Sequence, residues 1–191
     1  MITFNNFKFH ENSQIVDITI PQSSVVYIQN CDTNIFVQKP FSGEILFKDF
    51  PIQHAMKSFL KNIFYYFSPE MMFENMTAVK NIKQFANFFD RKIIWHVPLA
   101  YFEIEEKAWN EKVKNLDEQV KLCLCYGAIL LFHGTVCLVN VAQNLSPKNT
   151  EKLAGLLVSR ANYGKDIVFY CGRKLEIEKE IVINLQNSLD K

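Results

Sequence analysis

Apolar and polar residues alternate at the start of the chain and fall into a different rhythm after residue 76. Ile2, Phe4, Phe7 and Phe9, then Ile18 and Ile20 in "QIVDITI" (14–20), predict half-buried strands. "VVYI" (25–28) is short, β-branched and apolar, as a strand buried on both faces is. "KPFSGEILF" (39–47) is a turn into a strand, and "NIFYYF" (62–67) a further strand ended by "SPE". In "MTAVKNIKQFANFFD", Val79, Ile82, Phe85, Ala86 and Phe89 take helical spacing behind Thr77 as N-cap. Residues 103–132 predict a charged helix, a break and a long apolar helix. "VCLVNV" (136–141) reads as a buried strand. The stripe Leu153, Leu156, Leu157 and Ala161 marks a helix that Gly164 would cap. "KDIVFY" and "EIVINL" are the last strands. The pattern predicts one α/β domain over 1–191, its antiparallel N-terminal strands leading into strand–helix–strand units. The mostly helical stretch from about 77 to 120 reads as a small insertion.

Composition narrows the function classes. The net charge of +1 argues against a nucleic-acid binder, because phosphate neutralisation needs a basic excess. The 17 phenylalanines imply a very aromatic core or an apolar surface covered by a partner. No apolar run is long enough to span a membrane, and "MITFNNFKFHENSQ" lacks the features of a secretory signal, so a cytoplasmic protein is expected. Five cysteines, with Cys123, Cys137 and Cys171 in apolar settings, suggest reduced core thiols. Cys123 and Cys125 have no nearby His pair or second Cys pair, so a structural role outweighs a metal site. His10, His54, His96 and His133 are scattered without ligand spacing. Cys171, beside Gly172 at a strand's C-terminal end, sits where α/β folds place chemistry, but no base adjoins it in sequence. Arg173 and Lys174 read as a surface pair. Glu103, Glu105, Glu106, Asp117 and Glu118 read as solvated helix-end charges.

The order of the segments 41–49, 63–89 and 122–170 carries a resemblance. "FSGEILFKD", "IFYYFSPEMMFENMTAVKNIKQFANFF" and "LCLCYGAILLFHGTVCLVNVAQNLSPKNTEKLAGLLVSRANYGKDIVFY" together resemble the ATP-binding domain of ABC transporters, covering about residues 2–185. The flavour is that of the subfamily serving antibiotic, bacteriocin and drug export. The resemblance implies a P-loop-NTPase-like mixed sheet with flanking helices, antiparallel N-terminal strands and a reduced helical subdomain.

Every nucleotide-handling motif of that family departs here. A Gly-rich loop ending in Gly-Lys-Ser/Thr should follow "VVYI", because backbone N–H groups must approach the phosphates and Lys must reach them. "QNCDTNIFVQKP" (29–40) has no glycine. A phosphate loop with a three-turn helix needs roughly twenty residues. Only about a dozen separate Ile28 from "FSGE", so loop and helix read as deleted. The family's Mg²⁺-holding Asp falls on Val139 and its catalytic Glu on Asn140. An isopropyl group cannot ligate a cation, and an amide is no general base. Ser146 stands for the Asp of the following loop. The signature falls on Asn115, Leu116, Asp117, Glu118 and Gln119, with two carboxylates in place of two glycines that would meet a γ-phosphate. The strand-end glutamine falls on Ser68 and the switch histidine on Gly172.

The resemblance with these departures implies a catalytically inactive, non-ATP-binding accessory or regulatory subunit, with no cofactor or metal. Its implied partners are an ABC transporter membrane subunit, an active ABC ATPase subunit, or a second copy in a homodimer. Bacteriocin-type peptide or drug export is the implied process, and the cytoplasm or the inner face of the cell membrane the implied place. Met71, Met72, Phe73 and Met76 form an adaptable partner contact on this reading, or plain core on the bland one. Two alternatives stand beside it. One is a stand-alone cytoplasmic protein- or peptide-binding immunity or regulatory protein. The other is a weak nucleotide hydrolase or thiol-dependent catalyst with an unrecognised site.

Overall fold

Nine strands appear in the computed structural model, which describes residues 1–31, 40–52 and 63–185. They are β1 (Ile2–Lys8), β2 (Val16–Ile20), β3 (Ser24–Gln29), β4 (Ser42–Phe47), β5 (Phe50–Pro51), β6 (Phe64–Phe67), β7 (Val136–Val141), β8 (Ile167–Gly172) and β9 (Ile181–Asn184). The chain divides into two units. One holds Met1–Tyr66, Gly134–Val141 and Gly155–Lys191; the other holds Phe67–His133 and Ala142–Ala154.

The first unit contains an antiparallel sheet, β2-β1-β4-β5, and the parallel strands of a second sheet of order β6-β7-β8-β3-β9. Alternation decides its core. Ile2, Phe4, Phe7, Ile45 and Phe47 form one buried cluster with Val26, Ile28, Phe169, Cys171 and Ile183. Phe4 meets Phe7 edge to face at 5.4 Å and Phe169 at 6.2 Å. The abundance of phenylalanine thus serves a core, but Phe41, Phe50, Phe73 and Phe88 remain exposed. The expected turn at "SGE" has a steric reason. Gly43 has φ +71°, and a Cβ there would lie 2.2 Å from the Asn6 carbonyl oxygen, beside the irregularity in the β1–β4 pairing.

The second unit is helical. Its elements are α1 (Ala78–Phe88), α2 (Val97–Tyr101), α3 (Glu106–Trp109) and α4 (Glu118–Gly127); α5 (Pro147–Gly164) starts within it. Thr77 caps α1 by accepting from the Lys80 N–H at 3.3 Å, and Ile82, Phe85 and Ala86 are buried.

Two expectations need correction. The charged helix from residue 103 exists only as the single turn α3. Backbone groups after it go elsewhere: Ala78 N–H donates to Glu111 O, Val113 N–H to Met76 O and Lys114 N–H to Glu74 O. That ladder competes with helix continuation and wins because no apolar stripe rewards a helix there. Gly164 is the last helical residue rather than the cap, and Lys165 takes the left-handed conformation at φ +56°. Of the strand expected over "NIFYYF", Phe64–Phe67 is present and Asn62 lies outside the described residues, as do His54 and most of "QNCDTNIFVQKP".

Truncating the inter-sheet aromatic should be costly. Phe4→Ala is expected to lower stability by about 3–5 kcal/mol, against no more than about 0.5 kcal/mol for exposed Phe41→Ala, measured by urea unfolding.

Candidate functional site at the ends of the parallel strands

In parallel sheets, chemistry gathers at the C-terminal strand ends. Here β7 and β8 end in register, with Val139 opposite Tyr170, Asn140 opposite Cys171 and Val141 opposite Gly172. Val139 is fully buried and Asn140 half-buried. Mg²⁺ held at this strand end would need a carboxylate oxygen; Val139 offers none, and the Asn140 amide carries no charge. Val139 and Asn140 therefore do not fit a magnesium–nucleotide complex at this strand end.

Gly172 explains itself sterically. Its φ is +78°, and a Cβ would lie 2.4 Å from Val141 O and 2.8 Å from Asn140 Oδ1. No side chain fits this backbone, a histidine included. Arg173 N–H closes the corner by donating to Val141 O at 2.9 Å, and Tyr27 hydroxyl donates to Gly172 O at 3.3 Å. Beyond the corner the chain folds back. Tyr170 hydroxyl donates to the Glu180 carboxylate, which also pairs with Lys174, and the Lys174 ammonium sits 4.5 Å from the centre of the Tyr27 ring. Burial pushes Tyr170 up to about 12 and pulls Lys174 below its ordinary value. Lys174 is exposed, as the surface-pair reading of Arg173 and Lys174 expects, and its ammonium is engaged by Glu180.

The second unit holds the other motif positions. Asn115 ends a 3-10 turn, Leu116 is half-buried, and Asp117 caps α4 by accepting from Gln119 N–H at 2.8 Å. Glu118 lies 3.9 Å from Lys121 in the first turn, a weak exposed pair. Gln119 makes a two-sided clamp that local sequence does not announce. Its Nε2 donates to Asn144 O, and its Oε1 accepts from Ser146 N–H, both at 2.7 Å. Ser146 precedes α5, and its hydroxyl accepts from Asn149 N–H at 3.4 Å as a cap does. Ser68 is buried, with its hydroxyl 3.5 Å from a Glu70 oxygen.

The methionine segment separates into inside and outside. Met72 is only 8% exposed, so its expected surface role is corrected; Met71 and Met76 are half-buried, and Phe73 is 55% exposed. Buried Asn81 holds the loop from within, donating to Phe73 O and Thr77 O and accepting from Phe73 N–H. A lone Asn on the inner face of a predicted helix is the signal that was there to read.

Glu103 is not simply solvated either. It pairs with Lys148 and Lys152, which hold its carboxyl down at about 2. Cys123 lines an open cleft of about 290 Å³, but burial pushes its thiol up to about 12, which leaves no thiolate at neutral pH. No disulfide involves any of the five cysteines, all buried.

Two outcomes are expected. Gly172→Ala should cost about 1–3 kcal/mol or more from the left-handed backbone and the carbonyl contact, read as a lowered melting temperature. The Glu103 carboxyl, followed by NMR, should titrate near 2 instead of 4.5. Because its folded value is depressed, its contribution is complete above about 4.5 and is lost as pH falls towards 2.

The chain matches no family profile. It is 20% identical, over 97% of its length and the whole of the relative, to the "Cytochrome c biogenesis ATP-binding export protein CcmA" of Rickettsia felis. Among solved structures, the ATP-binding cassette MJ0796, dimeric and bound to ADP and Pi, superposes with a TM-score of 0.77 at 15% identity, covering 97% of this chain and 94% of that one. A putative ABC transporter ATP-binding protein from Pyrococcus furiosus gives 0.75 at 15%, covering 96% of each. CbiO1 of Clostridium perfringens, part of the ABC transporter complex cbiONQ, gives 0.72 at 16%, covering 97% and 84%. The antiparallel N-terminal sheet, the parallel sheet and the flanking helices are those of the ABC-transporter ATP-binding domain, and that is the fold of this chain.

Proposed function

We propose that the chain is a non-hydrolysing, ABC-ATPase-like accessory subunit of an export system, working through contacts with a transporter membrane subunit or an active ATPase subunit. The observation that carries this reading is the end of β7 and β8. Val139 and Asn140 offer no carboxylate, and Gly172 has no room for a side chain. The sequence between β3 and β4 supports it, having no glycine before Ser42 and no Gly-Lys pair. Asp117 and Glu118, at the N-terminus of α4, would repel a γ-phosphate presented there.

Phe73 supports the partner. It is exposed while its own backbone is fixed by Asn81, so an apolar side chain is presented from a rigid loop. Met71 and Met76 lie half-buried beside it in sequence and supply adaptable surface. A homodimer is the remaining arrangement for the same surface. The reduced helical subdomain from about 77 to 120 belongs to this proposal as the segment that follows this contact in the chain.

The cargo is read only by class. The order of motifs resembles bacteriocin- and drug-export cassettes, and the Rickettsia relative is named an export protein of cytochrome c biogenesis. Export is common to both. The name of that relative and the ADP-bound neighbour favour a second reading, an ATP-binding subunit with an altered site.

Two measurements separate the readings. Phosphate release from Mg-ATP by the purified chain should equal the buffer blank; turnover proportional to protein concentration contradicts the proposal. The chain should stay with membranes of the source cell through a high-salt wash that strips electrostatic lipid contacts, and Phe73→Asp should release it there without lowering its melting temperature. A wild-type chain that leaves the membranes wholly in that wash counts against the transporter partner.

A further inference from the structure

The exposed side of α1 and the turn after it carry an unusual combination of groups. Lys80, Lys83, Gln84, Asn87 and Phe88 are all exposed on α1, and helical spacing sets most of them along one side. The chain then turns through Asp90, at φ +55°, into a short 3-10 segment, Lys92–Ile94. Arg91 N–H bonds back to Ala86 O at 2.6 Å, and Ile94 N–H to Arg91 O at 3.2 Å, so the turn is built into the helix end. From this fixed turn Ile93 stands 90% exposed and Phe88 49% exposed. The Lys83 ammonium lies 4.4 Å from the centre of the half-buried Trp95 ring.

Charge is concentrated here as well. The chain as a whole carries +1, yet residues 75–102 hold Lys80, Lys83, Arg91 and Lys92 against the single acid Asp90. Trp95 also meets Trp109 of α3 edge to face at 6.2 Å. On α3 and its cap, Glu105 is paired with Lys107, leaving Glu106 as the acid on that side.

We infer that this tip, Phe88 and Ile93 framed by Lys80, Lys83, Arg91 and Lys92, is a docking surface for an anionic lipid bilayer. Charge complementarity selects anionic headgroups, and each basic residue at such a surface contributes about five-fold in affinity. Geometry selects lipid over a protein pocket. An isoleucine with nine-tenths of its surface free makes little contact with the rest of the chain. A fluid interface receives such a wedge without a complementary socket, and tryptophan with lysine is the pair that settles at headgroup level. Two apolar side chains and four cations give reversible, salt-dependent association. No helix among the described residues is long and apolar enough to cross a membrane, so contact of this kind is peripheral. The inference does not depend on the partner proposed above, since it needs only the chain and lipid.

The test is co-sedimentation of the purified full chain with vesicles of phosphatidylcholine mixed with phosphatidylglycerol, against phosphatidylcholine alone. Binding is expected to the anionic vesicles only and to weaken with salt. Arg91→Gln with Lys92→Gln should weaken it about ten-fold or more, and Ile93→Ser should weaken it several-fold. Both variants should keep the wild-type melting temperature, because all three positions are exposed. Four results overturn the inference: no sedimentation with anionic vesicles, equal sedimentation with neutral ones, variants that bind like wild type, or equally tight binding to polyglutamate. The last would reassign the tip to an acidic protein. Because the vesicles contain no protein, failure here leaves the transporter-subunit reading untouched, and failure of that reading leaves this one standing.

Discussion

Phe4 and Phe169 meet edge to face between the two sheets of the first unit, and that contact organises the rest of it. The strands of a parallel sheet present apolar side chains on both faces, so each face must be covered. For Val26, Ile28, Phe169, Cys171 and Ile183, much of the cover comes from Ile2, Phe4, Phe7, Ile45 and Phe47. Large aromatic side chains fill such a gap at two torsions each, which bends the balance between burial and lost entropy towards order. Gly43 belongs to the same constraint. Only a residue without Cβ lets β4 approach Asn6 of β1 closely enough to keep the antiparallel sheet in register.

A packed sheet fixes where its strand ends lie, and the ends of β7 and β8 are held by contacts within the chain. Gly172 presses against Val141, Arg173 and Tyr27 satisfy the local carbonyls, and Lys174 and Tyr170 converge on Glu180. In the second unit Gln119 and Asn81 act in the same sense. Each uses a side-chain amide to pin a loop, one at residues 144–146 and the other at residues 73–77.

Local pattern carried most of the fold. Strand alternation at Ile2 to Ile20, the β-branched run at 25–28 and the Thr77 cap with its apolar stripe all lie within one element, so periodicity reports them. What it missed depends on distant partners. The charged stretch after 103 has helix-forming composition, but its backbone pairs with residues 74–78 instead. Glu103 finds Lys148 and Lys152 more than forty positions away, and Gln119 finds Asn144 and Ser146. Met72 sits inside while Phe73 sits outside, a distinction no composition rule makes. The motif positions were legible only through the order of segments. β7 and β8 hold Val139, Asn140 and Gly172 in their second halves, and the steric reason for Gly172 lies in Val141 and Asn140, which are distant from it in sequence.

The central claim is that this fold is kept for its surfaces without nucleotide chemistry. Titrating the purified chain with Mg-ATP while following its melting temperature tests that claim most directly, because any ligand that binds the folded state must raise the melting temperature by mass action. The account predicts a melting temperature that does not move across the titration. A saturable rise with Mg-ATP would contradict it.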